Sequence, residues 1–315
     1  MTASRILALG GAHVDRRGRI HAETAPGASN PGSWFVEAGG GAFNAARNLA
    51  RLGHAVRLIA PRGGDPDGEI VAAAAREAGV EDTPFTFLDR TTPSYTAIIE
   101  RDGNLVIALA DMELYRLFSP RRIQQRAVRE AFSATDAVIT DANLPAETVA
   151  AIADAARSSA RPAFGIAISP AKVVRFKACL PNLSGLFMNE AEARALVRSE
   201  PDDPRRWPDL LRAAGLARGV VTRGRHAAIA FDETGIAMLT PPLLEVLGDV
   251  TGAGDALASG FISAQLADRP LGEALRQGAA AALIAVRSPL AVAEELEPDL
   301  LARVMGLVPD AEMLS

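Results

Sequence analysis

The chain has 315 residues, 49% hydrophobic and 23% charged, which suits a globular protein of one large or two small α/β domains. A net charge of −5 leaves no basic excess to neutralise phosphates and argues against a nucleic-acid surface. The single cysteine, Cys179, excludes an internal disulfide and a cysteine-based zinc cluster, and His13, His21, His54 and His226 lack metal-ligand spacing.

Residues 5–9 read as a short buried strand closed by Gly10-Gly11, not as a signal peptide, and no apolar run approaches a membrane span. A cytoplasmic chain with neither membrane nor nucleic-acid partners is the expectation. Asp15 lies just past the strand end, where open α/β sheets bind ligands, although on the sequence alone a turn aspartate is the stronger reading. Residues 16–38 are polar and rich in Gly, Pro and Ser. With the turn signal Ser29-Asn30-Pro31-Gly32 they predict an insertion that acts as a lid or flap. Gly39-Gly40-Gly41 leads through Asn44 into a helix over 45–52 closed by Gly53. Backbone can approach a ligand there, and Asn44 either serves a sugar hydroxyl with donor and acceptor or caps the helix. A strand over 56–60, a turn at 63–68 and a helix over 69–78 come next.

Strands over 84–88, 95–100 and 105–110, the last two joined at Asp102-Gly103, interrupt the α/β rhythm. They are expected to pair with the 16–38 insertion in a separate small antiparallel sheet. The arginines between 116 and 129 read as the solvated face of a helix. Strand–helix alternation resumes with strands over 137–140, 163–168, 186–188 and 220–222, and helices over 146–157 and from Asn189-Glu190-Ala191-Glu192. A hairpin over 227–232 and 237–239 precedes the loop 240–247. Helices over 256–267, 271–287 and near 298–306 close the chain. No linker or repeat divides it, so one 315-residue unit is predicted, with lid segments at about 13–38 and 84–112.

The stretch Gly248-Asp249-Val250-Thr251-Gly252-Ala253-Gly254-Asp255 organises the rest. Its glycines let the backbone turn and point N–H groups one way, and a helix starting at Gly254 or Asp255 adds the positive end of its dipole. An aspartate at the mouth of an anion site suits a base that takes a proton from a hydroxyl attacking phosphorus. Taken alone, the stretch also reads as an ordinary acidic helix start after a glycine turn.

Four signals stand in one order: Asp15, Gly39-Gly40 with Asn44, Asn189-x-x-Glu192, and Gly252-Ala253-Gly254-Asp255. That order resembles the PfkB-type, ribokinase-like family of sugar and nucleoside kinases. One family signature runs from Gly39 through Asn44, Ala46 and Gly53 to Gly63, and a second covers Asp249 to Asp255. The resemblance implies a three-layer α/β/α sandwich with a mostly parallel central sheet and a small β-sheet lid. It further implies Asp255 as general base, with the amides of Gly252, Ala253 and Gly254 holding the transferring phosphoryl group. Asn189 and Glu192 would organise Mg2+ and the ATP phosphates, Glu192 through water, and Thr222 and Gly224 would lie along the nucleotide. Asp15, Gly39, Gly40 and Asn44 would hold the sugar, with His13 beside Asp15. Asp249 and Thr251 match positions that bind a monovalent cation such as K+ in some members. A P-loop kinase is disfavoured separately, because neither Lys172 nor Lys177 follows a glycine-rich loop.

Within the family, the chain most resembles pseudouridine kinases, on Gly10-Gly11-Ala12-His13-Val14-Asp15, Ser29-Asn30-Pro31-Gly32, Ser94-Tyr95, Asp102-Gly103 leading to Ala110-Asp111-Met112, and the Asp141-Ala142-Asn143 stretch. ATP-dependent phosphorylation of the 5′-hydroxyl of pseudouridine is the expected activity. Ser29, Asn30, Ser94 and Asp111 are candidates to pair with the base, and Met112 to pack on its ring. The chain departs from the pattern at His13 (usually Asn), Phe43, Ile166-Ala167, Met188 and Ala227. Other readings are a kinase for another nucleoside or for ribose or fructose, and a non-catalytic nucleoside sensor. A nucleotide-cofactor oxidoreductase is disfavoured by the missing GxGxxG after the first strand. Lid strands with open edges predict a homodimer through the lid.

Overall fold

Strand β1 (Arg5–Leu9) is buried from Ile6 onward and has a parallel partner on each side, so its sequence is a continuous apolar run instead of an alternating one. A computed structural model describes residues 3–242 and 251–314. After β1 come β2 (His13–Ile20), β3 (Gly32–Gly39), α1 (Gly41–Arg51), β4 (Ala55–Ile59), β5 (Pro61–Gly63) and α2 (Pro66–Glu77). Then follow β6 (Glu81–Asp82), β7 (Phe85–Phe87), β8 (Ser94–Ile99) and β9 (Leu105–Asp111). The middle of the chain forms α3 (Pro120–Ile123), α4 (Arg126–Ala134), β10 (Ala137–Asp141), α5 (Ala146–Ser158), β11 (Ala163–Ile166) and α6 (Pro170–Val173). It continues with β12 (Gly185–Asn189), α7 (Glu190–Val197), α8 (Trp207–Ala213), β13 (Gly219–Arg223), β14 (His226–Asp232) and β15 (Gly235–Leu239). The last elements are α9 (Ala253–Gln265), α10 (Leu271–Ala285), α11 (Pro298–Met305) and β16 (Glu312–Leu314).

Ten strands make the central sheet, in the order β16-β15-β14-β13-β12-β11-β10-β1-β4-β6. Pairing is parallel from β6 through β13 and antiparallel from β13 to β16. Alternate residues of β1 enter opposite cores, Ile6 and Ala8 on one face, Leu7 and Leu9 on the other. The first core is closed by α1, α2, α9, α10 and α11 through Leu49, Val71, Ile262, Leu275 and Leu301. The second is closed by α4, α5, α7 and α8 through Phe132, Ile152, Leu196 and Leu211. This is the three-layer α/β/α sandwich that the resemblance implied. Among the described residues no helix is long and apolar enough to cross a membrane.

A separate four-stranded sheet, β3-β2-β8-β9, stands beside the sandwich. The 16–38 insertion is thus largely a hairpin. Two expectations about this region need correction. Residues 84–88 do not join the small sheet, since β7 pairs with β5 along Pro61↔Phe85. The sheet is also not purely antiparallel: β2 runs parallel to β8, with Val14 opposite Ser94. The arginines of 116–129 lie on a 3-10 turn, α3 and α4 instead of one helix face. Cys179 is buried in the second core, where desolvation pushes its thiol up to about 12, so it is structural.

Candidate active site

Helix α9 begins at Ala253, with Gly252 as its N-cap, and among the described residues no side chain caps its first amides. Gly252 has φ +80°, and a Cβ there would lie 2.0 Å from the carbonyl oxygen of Ala291. Only glycine closes the turn so tightly. The N–H groups of the first turn and the helix dipole make this head electropositive, which suits an anion. It forms one wall of a cavity of about 410 Å³ at the carboxyl ends of the parallel strands. Of the residues expected at a site, His13, Gly40, Asn189, Glu192, Thr222, Gly252, Gly254 and Asp255 line this cavity.

Asp255 lies in the first turn of α9, partly accessible from the cavity. Desolvation is the largest influence on its carboxyl, and the nearby carboxylates of Asp141 and Glu192 add to it. Against them work a hydrogen bond from Asn44 and the charge of Arg47, and the carboxyl is raised to about 7. Asn44 Nδ2 donates to Asp255 Oδ2 at 2.8 Å, while Asn44 Oδ1 accepts from Arg47 Nη2 at 2.7 Å. The residue read as a sugar ligand therefore commits one donor and its acceptor to the protein itself.

Sequence reasoning singled out Asp141 only within the Asp141-Ala142-Asn143 stretch, with no role in the site, and did not name Arg47. Asp141 ends β10, fully buried. Its carboxylate accepts from the amides of Gly11 (3.1 Å), Ala42 (2.9 Å) and Asn143 (2.9 Å). It thereby ties together the loops that carry His13 and the head of α1. An aspartate at the carboxyl end of a parallel strand was the available signal. Arg47 gave none, because a helical arginine usually faces water.

On the opposite wall, His13 is pinned at both ring nitrogens. A carboxylate only accepts, so the His13 nitrogen facing Asp15 carries a hydrogen, and with that tautomer Nδ1 accepts from the Tyr115 hydroxyl at 2.8 Å. His13 Nε2–H donates to Asp15 Oδ1 at 3.2 Å. His13 orients Asp15 instead of offering a free polar atom. Gly39 lies opposite His13 in the β2–β3 register, and a Cβ on it would come 2.0 Å from Asp15 Oδ2. The lid candidates are more dispersed. Ser94 pairs with Asp111 across β8 and β9, and Met112 packs against the second core. Ser29 is exposed, and Asn30 spends its side chain on Ala25 and Ala28 within the turn.

The third wall comes from β12 and α7. Asn189 caps α7 reciprocally: its Oδ1 accepts from the Glu192 amide at 2.9 Å, and Glu192 Oε2 accepts from the Asn189 amide at 2.7 Å. Thr222 reaches the cavity from β13, and Gly224 forms the turn after it. Burial raises the Glu192 carboxyl, and the Asn189 amide is its partner among the described residues. A buried carboxylate lining the cavity fits a hydrated Mg2+ that takes its other ligands from water and phosphate. Among the described residues no group of three acidic, His or Cys side chains could hold a metal ion by itself. Thr251 precedes the head of α9, and Asp249 lies outside the described residues.

Residues 4–297 match the family described as pfkB family carbohydrate kinase. The chain is 27% identical over 315 residues to the pseudouridine kinase of Escherichia coli strain K12, covering 98% of each. A solved carbohydrate kinase from Agrobacterium tumefaciens is 62% identical, with a TM-score of 0.90 over 99% of this chain and 100% of that one. Arabidopsis thaliana ribokinase, solved with ribose and ATP, shares the fold at 18% identity and a TM-score of 0.84 over 96% and 99%. The chain belongs to the pfkB family of carbohydrate kinases: it is a phosphotransferase with a hydroxyl acceptor, built on the ribokinase-like fold.

Proposed function

We propose that the protein transfers the γ-phosphoryl group of ATP to the 5′-hydroxyl of pseudouridine, with Asp255 as general base. The observation that carries the chemistry is the Asp255 carboxyl, raised to about 7 beside the first amides of α9. A base with that proton affinity is divided between its two forms at neutral pH, which suits proton removal during transfer. As the acceptor oxygen bonds to the γ-phosphorus, its proton passes to Asp255 and the P–O bond to ADP breaks. The amides of Gly252, Ala253 and Gly254 meet the charge on the phosphoryl oxygens. Asn189 and Glu192 hold the nucleotide end, with Thr222 and Gly224 alongside. Mg2+, when bound, supplies neutralisation of phosphate charge, and Glu192 is the residue to hold it through water. Asp15, oriented by His13, takes a sugar hydroxyl.

The substrate assignment is supported by the relation to a pseudouridine kinase that runs over 98% of both chains, lid included. A second reading, another nucleoside or a free sugar, draws on His13, whose ring nitrogens are both engaged within the protein. The lid is proposed to pair two copies. Trp34, Ile98 and Ile107 share one face through Gly18, and Trp34 and Ile107 are 61% and 65% exposed.

The test is an ATP-to-ADP coupled assay with pseudouridine, uridine, cytidine, adenosine, ribose and fructose side by side. Pseudouridine is expected to exceed uridine by at least about tenfold in kcat/KM, since the lid must read the base. Preference for another acceptor would replace the substrate and keep the chemistry. Asp255→Asn is expected to lose roughly 1000-fold or more in kcat while still binding ATP. An Asp255→Asn protein of undiminished turnover would remove Asp255 as the base.

A further inference from the structure

We infer that Arg47 is a positioning residue for phosphoryl transfer, its guanidinium setting the direction of the Asn44 amide and so aiming an N–H donor at Asp255. The inference rests on the proposed role of Asp255. Arg47 lies on α1 and is 9% exposed, although nothing in the packing of an aliphatic core calls for a charge there. Desolvation pulls its guanidinium down to about 10, against the opposing charges of Glu37 on β3, Asp255 on α9 and Asp15 on β2. Arg51 on its own helix adds to the cost.

The geometry shows where that cost goes. Nη2 donates to Asn44 Oδ1 at 2.7 Å and to the Ala38 carbonyl oxygen at 2.6 Å, and the guanidinium carbon sits 4.6 Å from the centre of the Phe43 ring. A primary amide can flip by half a turn at small intrinsic cost. Here the flipped form would turn Nδ2 toward a cation and Oδ1 toward the Asp255 carboxylate, two repulsive contacts in a desolvated place. With Arg47 present a single orientation remains, the one in which Nδ2 donates to Asp255 at 2.8 Å. Asp141 and Glu192 both push a proton onto Asp255, so an oriented donor backed by a positive charge is what keeps a share of it ionised. The same guanidinium holds the base of the lid hairpin, because Ala38 belongs to β3. Next to it, Glu37 accepts from the Ala291 amide at 3.1 Å, and the Ala291 carbonyl is the group that abuts Gly252. One buried side chain thus joins lid strand, amide and base.

The test is a double-mutant cycle on the full-length protein, using ATP and whichever acceptor of the six-member panel it turns over fastest. Arg47→Met is expected to lower kcat by about tenfold or more, with ATP affinity and acceptor KM within about twofold of wild type. Adding it to Asn44→Ala should cost far less than it costs the wild type, because the larger part of its effect runs through that amide. Arg47→Lys keeps the charge and should recover part of the loss; it also serves as the working variant if Arg47→Met does not fold. Losses that multiply in the double mutant, or an Arg47→Met kcat equal to wild type, would overturn the assignment. A substrate-free reading comes from melting temperatures at pH 8. The gain from Asp255→Asn should be larger in the Arg47→Met or Arg47→Lys background, and an equal gain in both backgrounds counts against the inference. Full turnover by Asp255→Asn alone would instead dismiss the base and leave the thermal cycle to decide the Arg47 contact.

Discussion

At the residue scale, Asp255 is under two opposed demands. The proposed proton abstraction needs an ionised carboxylate, yet desolvation and two neighbouring carboxylates oppose ionisation. A carboxyl raised from 3.8 to about 7 on folding favours the folded state fully below pH 3.8, and that contribution is lost as pH rises through about 7. Asp255→Asn should therefore melt above wild type at pH 8 by about 1–3 kcal/mol of stability, with the advantage vanishing toward pH 4. Melting curves across that range check it, and a constant offset would show that the carboxyl titrates normally. In the wild-type enzyme kcat/KM should fall on the acid side of about pH 7. Asn44 was legible as a site residue because it follows a glycine turn. That its amide faces Asp255 was not, because 211 positions of chain separate the two.

At the element scale, the site is the meeting of two glycine-led helix starts, α1 after Gly40 and α9 after Gly252. Both turns were visible in the sequence, since clustered glycines before an apolar run have few other uses. Their tolerance differs by what lies opposite. Gly252→Ala would place a methyl against the Ala291 carbonyl in a left-handed conformation, costing about 1–3 kcal/mol and tilting the amides. We expect kcat to fall by about tenfold or more in a protein that still folds, read by steady-state kinetics beside the melting temperature. Activity close to wild type would mean the α9 head need not be rigid. Residues 84–88 were assigned to the lid because their partner strand, Pro61–Gly63, is three residues long and carries no strand pattern of its own.

At the scale of the whole molecule, the lid presents Trp34, Ile107 and Leu109 to solvent, with Leu109 73% exposed. If two copies cover these faces, Ile107→Asp should convert a dimer to a monomer by light scattering, with the sandwich intact by circular dichroism. A wild-type monomer would refute the proposed pairing. Alternating apolar strands and amphipathic helices prescribed the layered sandwich locally, because burial on one face or two is written in residue period. The strand ends then located the cavity, and the glycine turns located its anion wall. Tertiary structure alone decided the rest. The parallel register of β2 on β8, the Tyr115–His13–Asp15 chain and the Arg47–Asn44–Asp255 chain join residues far apart in sequence. Local propensity says nothing about such contacts, since their energies depend on distance and desolvation that exist only once the chain has folded.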